Sequence, residues 1–310
     1  MGMWQSRVVV TALVFLFGLV IGSFLNVCIV RIPEEQSIVR PGSRCPRCRK
    51  SIRYYDNVPV VSWLLLRGRC RDCGARISLW YPAIELLTAF FFVWCYRTFG
   101  VSPIGLKWLF LGCLLIVLTV TDLRARLLPD AVTWTGFGIG LALSAAVPPQ
   151  DGIAWRLIWR VLHRLPHPAV AGLLDALIGA LFGSFMLWLA GWLYRKWRGR
   201  EGMGLGDVKM VAMVGAFLGP RDTFLTILAG TVLGTAIGLG ILILLYAGGW
   251  KRRVAERASR RGLGSVNAIR CVLASQYQLP FGSFLGIAAL LVVFLRPFAT
   301  AWWLPWAGGR

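Results

Sequence analysis

Asp122 and Asp207 each stand at the edge of an apolar segment, in Thr121-Asp122-Leu123-Arg124 and Gly204-Leu205-Gly206-Asp207. A carboxylate at membrane depth is costly and usually functional. Two carboxylates brought close cannot both ionise cheaply, so they share a proton. The ionised partner can take a proton from water while the protonated one polarises a carbonyl, which is aspartic-protease logic. The other carboxylates beside apolar segments have plainer readings. Asp130 after Pro129 and Asp222 after Pro220-Arg221 suit helix N-caps. Glu85 falls one turn into a helix, where the dipole favours it. Asp175 is deeper and pairs best with an arginine or a polar helix neighbour. Asp122 differs, because it ends a helix, where the dipole disfavours a carboxylate and no cap explains it. Asp207 differs too. It follows Gly202, Gly204 and Gly206, whose alternation permits a tight turn and close approach of another chain. His163 and His167 fall on a separate loop, and no serine–histidine, cysteine–histidine or His-Glu-x-x-His arrangement competes.

A second constellation is metallic. Cys45-Pro46-Arg47-Cys48 and Cys70-Arg71-Asp72-Cys73 form two C-x2-C knuckles 21 residues apart. Each knuckle aims two thiolates at one ion, and four thiolates complete the tetrahedral site that zinc favours. A redox dithiol or an iron–sulfur cluster is the alternative. Full coordination leaves no place for a catalytic water, so the zinc is structural. Gly74 supplies backbone freedom after the second knuckle. Cys28, Cys95, Cys113 and Cys271 lack such spacing.

The elements that must position these groups are membrane helices. Of 310 residues, 57% are hydrophobic and 15% charged, with mean hydropathy +0.67, whereas soluble domains carry about 25% charge. Val8–Val30 has no charge and exceeds a signal-peptide core, which implies a retained span. The formal charge is +21, from 34 Lys and Arg against 13 Asp and Glu. Residues 31–80 hold 11 of these cations, 195–209 hold five and 249–277 hold seven. If the helices alternate across the membrane, these clusters and Arg124 and Arg126 share one side. The positive-inside rule makes that side cytoplasmic. Topology therefore accounts for the basic charge, with anionic lipid contact as an addition, and a nucleic-acid partner is not expected.

The expected fold is an all-α polytopic membrane protein of about eight transmembrane helices, near 8–30, 82–99, 105–121, 131–147, 170–194, 207–219, 223–247 and 279–304. A small cytoplasmic four-cysteine zinc-binding loop domain lies between the first two. The division is 1–30, 31–80 and 81–310. Arg156, Arg160 and Arg164 share one face of an interfacial amphipathic helix in the 148–168 loop. The 249–277 loop reads as a solvated connector. Gly136/Gly140, Gly179/Gly183, Gly215/Gly219, Gly230/Gly234 and Gly234/Gly238 have GxxxG spacing. Packing within one chain explains them, and a homodimer is the other option. The segment 207–219 is short for a span, and as an inner helix it would leave Asp207 near the cytoplasmic surface.

Together the residues resemble the bacterial type IV prepilin peptidase family, the prepilin leader peptidase/N-methyltransferases, which are intramembrane aspartyl proteases with a Gly-x-Gly-Asp mark. The matching pieces run in order: Gly22-Ser-Phe-Leu-Asn-Val27, the four-cysteine loop, Asp56-Asn-Val-Pro59 with Ser62-Trp63, and Tyr81-Pro82 with Glu85. Asp122 with Leu128-Pro129-Asp130, Gly204-Leu-Gly-Asp-Val-Lys209 and Pro280-Phe-Gly282 follow. The resemblance implies cleavage of the basic leader of type IV prepilins and type II secretion pseudopilins at the inner membrane's cytoplasmic face. It implies Asp122 and Asp207 as the catalytic pair, with Gly204, Gly206 and Lys209 as supporting motif. It also implies N-methylation of the new terminus from S-adenosylmethionine, for which no residue marks a binding site. Ser283 departs from the family, which often has a proline there, and Trp80 stands where an arginine is common. Two other readings compete: a proton- or cation-coupled transporter using Asp122, Asp175 and Asp207, and a zinc-ribbon membrane adaptor without chemistry.

Overall fold

The computed structural model describes residues 3–148, 152–163, 167–199, 202–247 and 280–307, all helical or irregular apart from two isolated β-bridges. The 249–277 loop, Cys271 and Arg164 lie outside the described residues. The helices are α1 (Met3–Arg31), α2 (Val61–Leu65), α3 (Trp80–Phe99), α4 (Pro103–Ala125) and α5 (Asp130–Ala146). They continue as α6 (Ile153–Leu162), α7 (Pro168–Arg198), α8 (Leu205–Ala247) and α9 (Phe281–Ala307). Among the described residues, four helices are long and apolar enough to cross a membrane: Arg7–Arg31, Pro103–Ala125, Pro168–Arg198 and Leu205–Ile241. Their outer faces leave Leu13, Phe17, Leu181 and Leu228 exposed, as lipid contact requires.

The helices expected over 207–219 and 223–247 meet without a loop. Gly219 has φ 77 and ψ 176 with Pro220 next, so α8 is two arms joined at a sharp break. The arms are antiparallel, as their neighbours show. A side chain at Gly183 would lie 2.6 Å from both Val211 on the first arm and Thr223 on the second. Gly234 approaches Phe284, while Asp222 approaches Arg296 at 3.5 Å, so the second arm runs against α9.

The first arm is the inner helix. Met210, Val211, Met213, Val214, Ala216 and Phe217 are each at most 1% exposed. Glycines let neighbours reach this arm. Gly136 and Gly140 admit Met213 and Phe217, and a side chain at Gly179 would lie 2.5 Å from the Gly215 carbonyl oxygen. These GxxxG glycines therefore serve packing within the chain.

The remaining carboxylates are tied down. Asp175 on α7 accepts the Ala154 N–H at 2.8 Å, so it caps α6 from outside. Asp222 holds Arg296 at the end of the bundle away from Asp122. On α6, Arg156 and Arg160 are exposed beside exposed Leu157 and Trp159.

Candidate active site

Three helix ends converge. Asp122 occupies the last turn of α4 and is buried. Arg126 then takes a left-handed conformation and its N–H bonds to the Asp122 carbonyl at 2.8 Å, which stops the helix. Asp207 is the third residue of α8, half-buried. Gly282 is the second residue of α9. A Cβ built at Gly282 would lie 3.0 Å from Asp122 Oδ2 and 3.0 Å from Asp207 Oδ1. The two oxygens thus lie within twice that distance of each other, close enough for one water to touch both. Leu128 Cδ1 closes the same point at 2.9 Å.

Asp122 gains what its helix end lacks. Its Oδ2 accepts the Ser283 N–H at 2.6 Å and the Ser283 hydroxyl at 2.7 Å. Ser283 stands in the first turn of α9, so the carboxylate faces a helix N-terminus, where unpaired N–H groups favour an anion. The sequence drew attention to Ser283 only as a departure, and nothing local shows that a residue 161 positions from Asp122 meets it.

The glycines before Asp207 serve space, not a left-handed turn: Gly202, Gly204 and Gly206 lack positive φ. Gly206 lets Leu128 approach, and Gly202 lets the Tyr194 ring approach. Asp130 is not the N-cap of α5. Pro129 holds that place, and the Asp130 carboxylate instead takes Lys209 Nζ at 2.7 and 2.8 Å. An ammonium two residues from Asp207 draws the exposed carboxylate out of the capping position and bridges α5 to α8.

The cysteines also converge. Cys45, Cys48, Cys70 and Cys73 have sulfurs all within 4.8 Å of one another, with 3.8 Å between Cys45 and Cys73. Zn–S bonds of about 2.3 Å set tetrahedral edges of about 3.8 Å, so the donor set fits zinc. The knuckles repeat one backbone pattern. Cys45 N–H bonds to Lys50 O at 3.0 Å and Arg49 N–H to Cys45 O at 2.9 Å. Cys70 N–H bonds to Ala75 O at 2.8 Å and Gly74 N–H to Cys70 O at 2.9 Å. Arg49 and Gly74 occupy the equivalent left-handed position, with φ 57 and φ 68. The Cys48 backbone N–H draws the Cys45 thiol down to about 7. Arg71 clamps Asp56 with bonds of 2.6 and 2.8 Å, which holds that carboxyl below its usual range.

This domain is fastened to the bundle at buried Glu85, whose carboxylate accepts the Val60 N–H at 2.7 Å. Asn26 on α1 donates to the Tyr81 carbonyl at 3.0 Å. Between the knuckles and these helices lies a cavity of about 240 Å³, walled in part by Asn26, Trp63, Tyr81 and Glu85.

Residues 16–99 match the family model of the bacterial peptidase A24 N-terminal domain, and residues 109–239 match that of the type IV leader peptidase family. A prepilin leader peptidase/N-methyltransferase of Aeromonas salmonicida (strain A449) is 32% identical over 322 residues, covering 94% of this chain and 93% of that protein. The chain belongs to the type IV leader peptidase family. A protein of the same name from Myxococcus xanthus (strain DK1622) is 42% identical over 235 residues, 76% of this chain and 63% of that one. The match therefore spans less than two thirds of that relative. A type 4 prepilin-like proteins leader peptide-processing enzyme of Escherichia coli O78:H11 is 35% identical over 225 residues, 66% of this chain and 75% of its own. No solved structure matches. The leader-peptidase match contains Asp122 and Asp207, and the N-terminal match contains the four cysteines. Gly282 and Ser283 lie beyond both.

Proposed function

We propose that this chain is an aspartic endopeptidase that cleaves the leader of type IV prepilins and pseudopilins at the cytoplasmic face of the bacterial inner membrane. The observation that carries it is that Asp122 Oδ2 and Asp207 Oδ1 each lie 3.0 Å from the one point where a side chain at Gly282 would begin. One carboxylate takes a proton from a shared water, and the other donates to the scissile carbonyl. Counting both arms of α8 with α1, α3, α4, α5, α7 and α9 gives eight spans. The loop helix α6 then lies at the opposite surface. The basic loops and the helix ends bearing Asp122 and Asp207 share the cytoplasmic side. Anionic lipids lie against those loops, and a homodimer is compatible with the exposed faces. Division at 30 and 80 into span, zinc domain and protease bundle rests on the helix ends, since α1 ends at Arg31 and α3 begins at Trp80. Cys45, Cys48, Cys70 and Cys73 hold a structural zinc, and Lys209 braces Asp207 by holding Asp130.

The chain also N-methylates the new terminus in this reading. S-adenosylmethionine supplies an electrophilic methyl group when bound. The cavity beside Glu85 fits it by the chemistry of its walls: a carboxylate for the sulfonium, Trp63 and Tyr81 for the adenine face, and Asn26 for a polar edge. One assay tests the whole reading. Purified protein is incubated with a prepilin peptide, with and without S-adenosylmethionine, and the product masses are read. Wild type loses the leader and gains one methyl group. Asp122→Asn and Asp207→Asn fold but leave the leader on. Glu85→Gln keeps leader loss and loses the methyl mass. Cleavage retained by either asparagine variant removes that aspartate from the mechanism, and methylation retained by Glu85→Gln removes the cavity as methyl-donor site. The transporter reading places carboxylates at mid-membrane, and the convergence at three helix ends counts against it.

A further inference from the structure

The two aspartates are not held alike. Ser283 is 0% exposed and gives both of its donors to Asp122 Oδ2, the N–H at 2.6 Å and the hydroxyl at 2.7 Å. Each donor has a second acceptor at longer range, Pro280 O for the N–H and Thr119 O for the hydroxyl, both at 3.2 Å. The shorter contacts run to the carboxylate. Asp207 has the Gly204 backbone as its partner, and among the described residues no side-chain donor is seen on it. An oxygen that already accepts two hydrogen bonds is a poor place for a proton. Hydrogen bonds to an ionised acceptor are also about twice as strong as neutral ones. The asymmetry is built by one residue.

We infer that Ser283 is a positioning residue that divides the labour of the pair, holding Asp122 as the base and leaving the shared proton on Asp207. This rests on the reading of Asp122 and Asp207 as the catalytic pair. The water gives a proton to Asp122 while its oxygen bonds to the scissile carbonyl carbon. The carbonyl oxygen takes the Asp207 proton, giving a gem-diol. Asp122 then returns its proton to the leaving nitrogen, the C–N bond breaks, and Asp207 recovers a proton from the gem-diol as the acid forms. Of the reacting groups Ser283 bonds only the Asp122 carboxylate, at Oδ2, and leaves Oδ1 to take the proton from water. It acts through Asp122 alone.

The test is a graded series assayed on full-length detergent-purified protein with a prepilin peptide. Ser283→Ala removes the hydroxyl and keeps the backbone N–H. Ser283→Pro removes both donors and suits a first helical turn; it installs the residue that the family often has there, so it asks whether this chain has come to depend on its own serine. The expected result is a kcat about tenfold lower for alanine, lower again for proline, with KM within about twofold of wild type. Wild-type kcat in both variants overturns the inference, as does a change carried by KM. Asp122→Asn separates the two layers. If it still cleaves, the pair falls and this inference with it. If it is dead while both Ser283 variants match wild type, only the role of Ser283 falls.

Discussion

Gly282 is where the two carboxylates are closest to touching a common point, and no larger residue leaves that point open. An alanine methyl would sit 3.0 Å from an oxygen of each aspartate and 2.9 Å from Leu128 Cδ1. It would occupy the place proposed for the attacking water. Gly282→Ala is expected to lower kcat by about 100-fold while the protein still inserts, because small displacements of reacting groups have effects of that size. Single-turnover cleavage with a prepilin peptide measures it, and near-wild-type turnover would show that water enters elsewhere. Asp122 stands out on sequence alone because a carboxylate at a helix C-terminus without a cap is anomalous, and Asp207 because of the glycines before it. Their separation was not legible, because it depends on α9, whose first turn lies 161 residues from Asp122. The same limit applied to Asp130 and Asp175. Both were read with their own or nearby helices, whereas Lys209 and Ala154 are the partners they find in space.

At the scale of elements, the cysteine domain has little core of its own. Tyr54, Tyr55, Leu64 and Leu65 are exposed, and each knuckle is closed by a single β-bridge, Arg44–Ser51 in the first and Arg69–Arg76 in the second. In the proposed reading a structural zinc orders this unit. Purified protein should contain about one zinc per chain, lost in Cys45→Ser/Cys70→Ser. Glu85 and Asn26 would then hold a loosened domain, so limited proteolysis should cut within 31–80 and spare the bundle. Elemental analysis that finds no zinc in a reducing, chelator-free preparation would remove the metal from this account. The knuckles were fully legible, because C-x2-C spacing is local geometry. The fastening at Val60 was not, because Glu85 read equally well as a residue favoured by its helix dipole.

At the scale of the whole molecule, the hairpin of α8 is the device that delivers Asp207 to the surface of a buried helix. Its first arm is buried from Met210 to Leu218 except at Ala212, and the carboxylate sits at its partly exposed end. The sequence showed this much, since an apolar stretch from 207 to 219 is short for a span and ends at Gly219-Pro220. It could not show what lies beside the break. There α7 crosses so closely that a side chain at Gly179 would lie 2.5 Å from the Gly215 carbonyl oxygen and 2.6 Å from the Gly219 carbonyl carbon. Both obstacles are backbone, which cannot rotate away as a side chain can. Gly179→Ala should therefore separate α7 from the bend of α8 and destabilise the bundle by about 1–3 kcal/mol, the range for overpacking. A thermal melt in detergent reads the loss. Gly138→Ala is the control on the neighbouring helix, since nothing lies within 4 Å of its open face. If the two variants melt together, α7 and α8 are not packed through glycine, and the route by which the bend fixes Asp207 opposite Asp122 must be sought in α5 and α9.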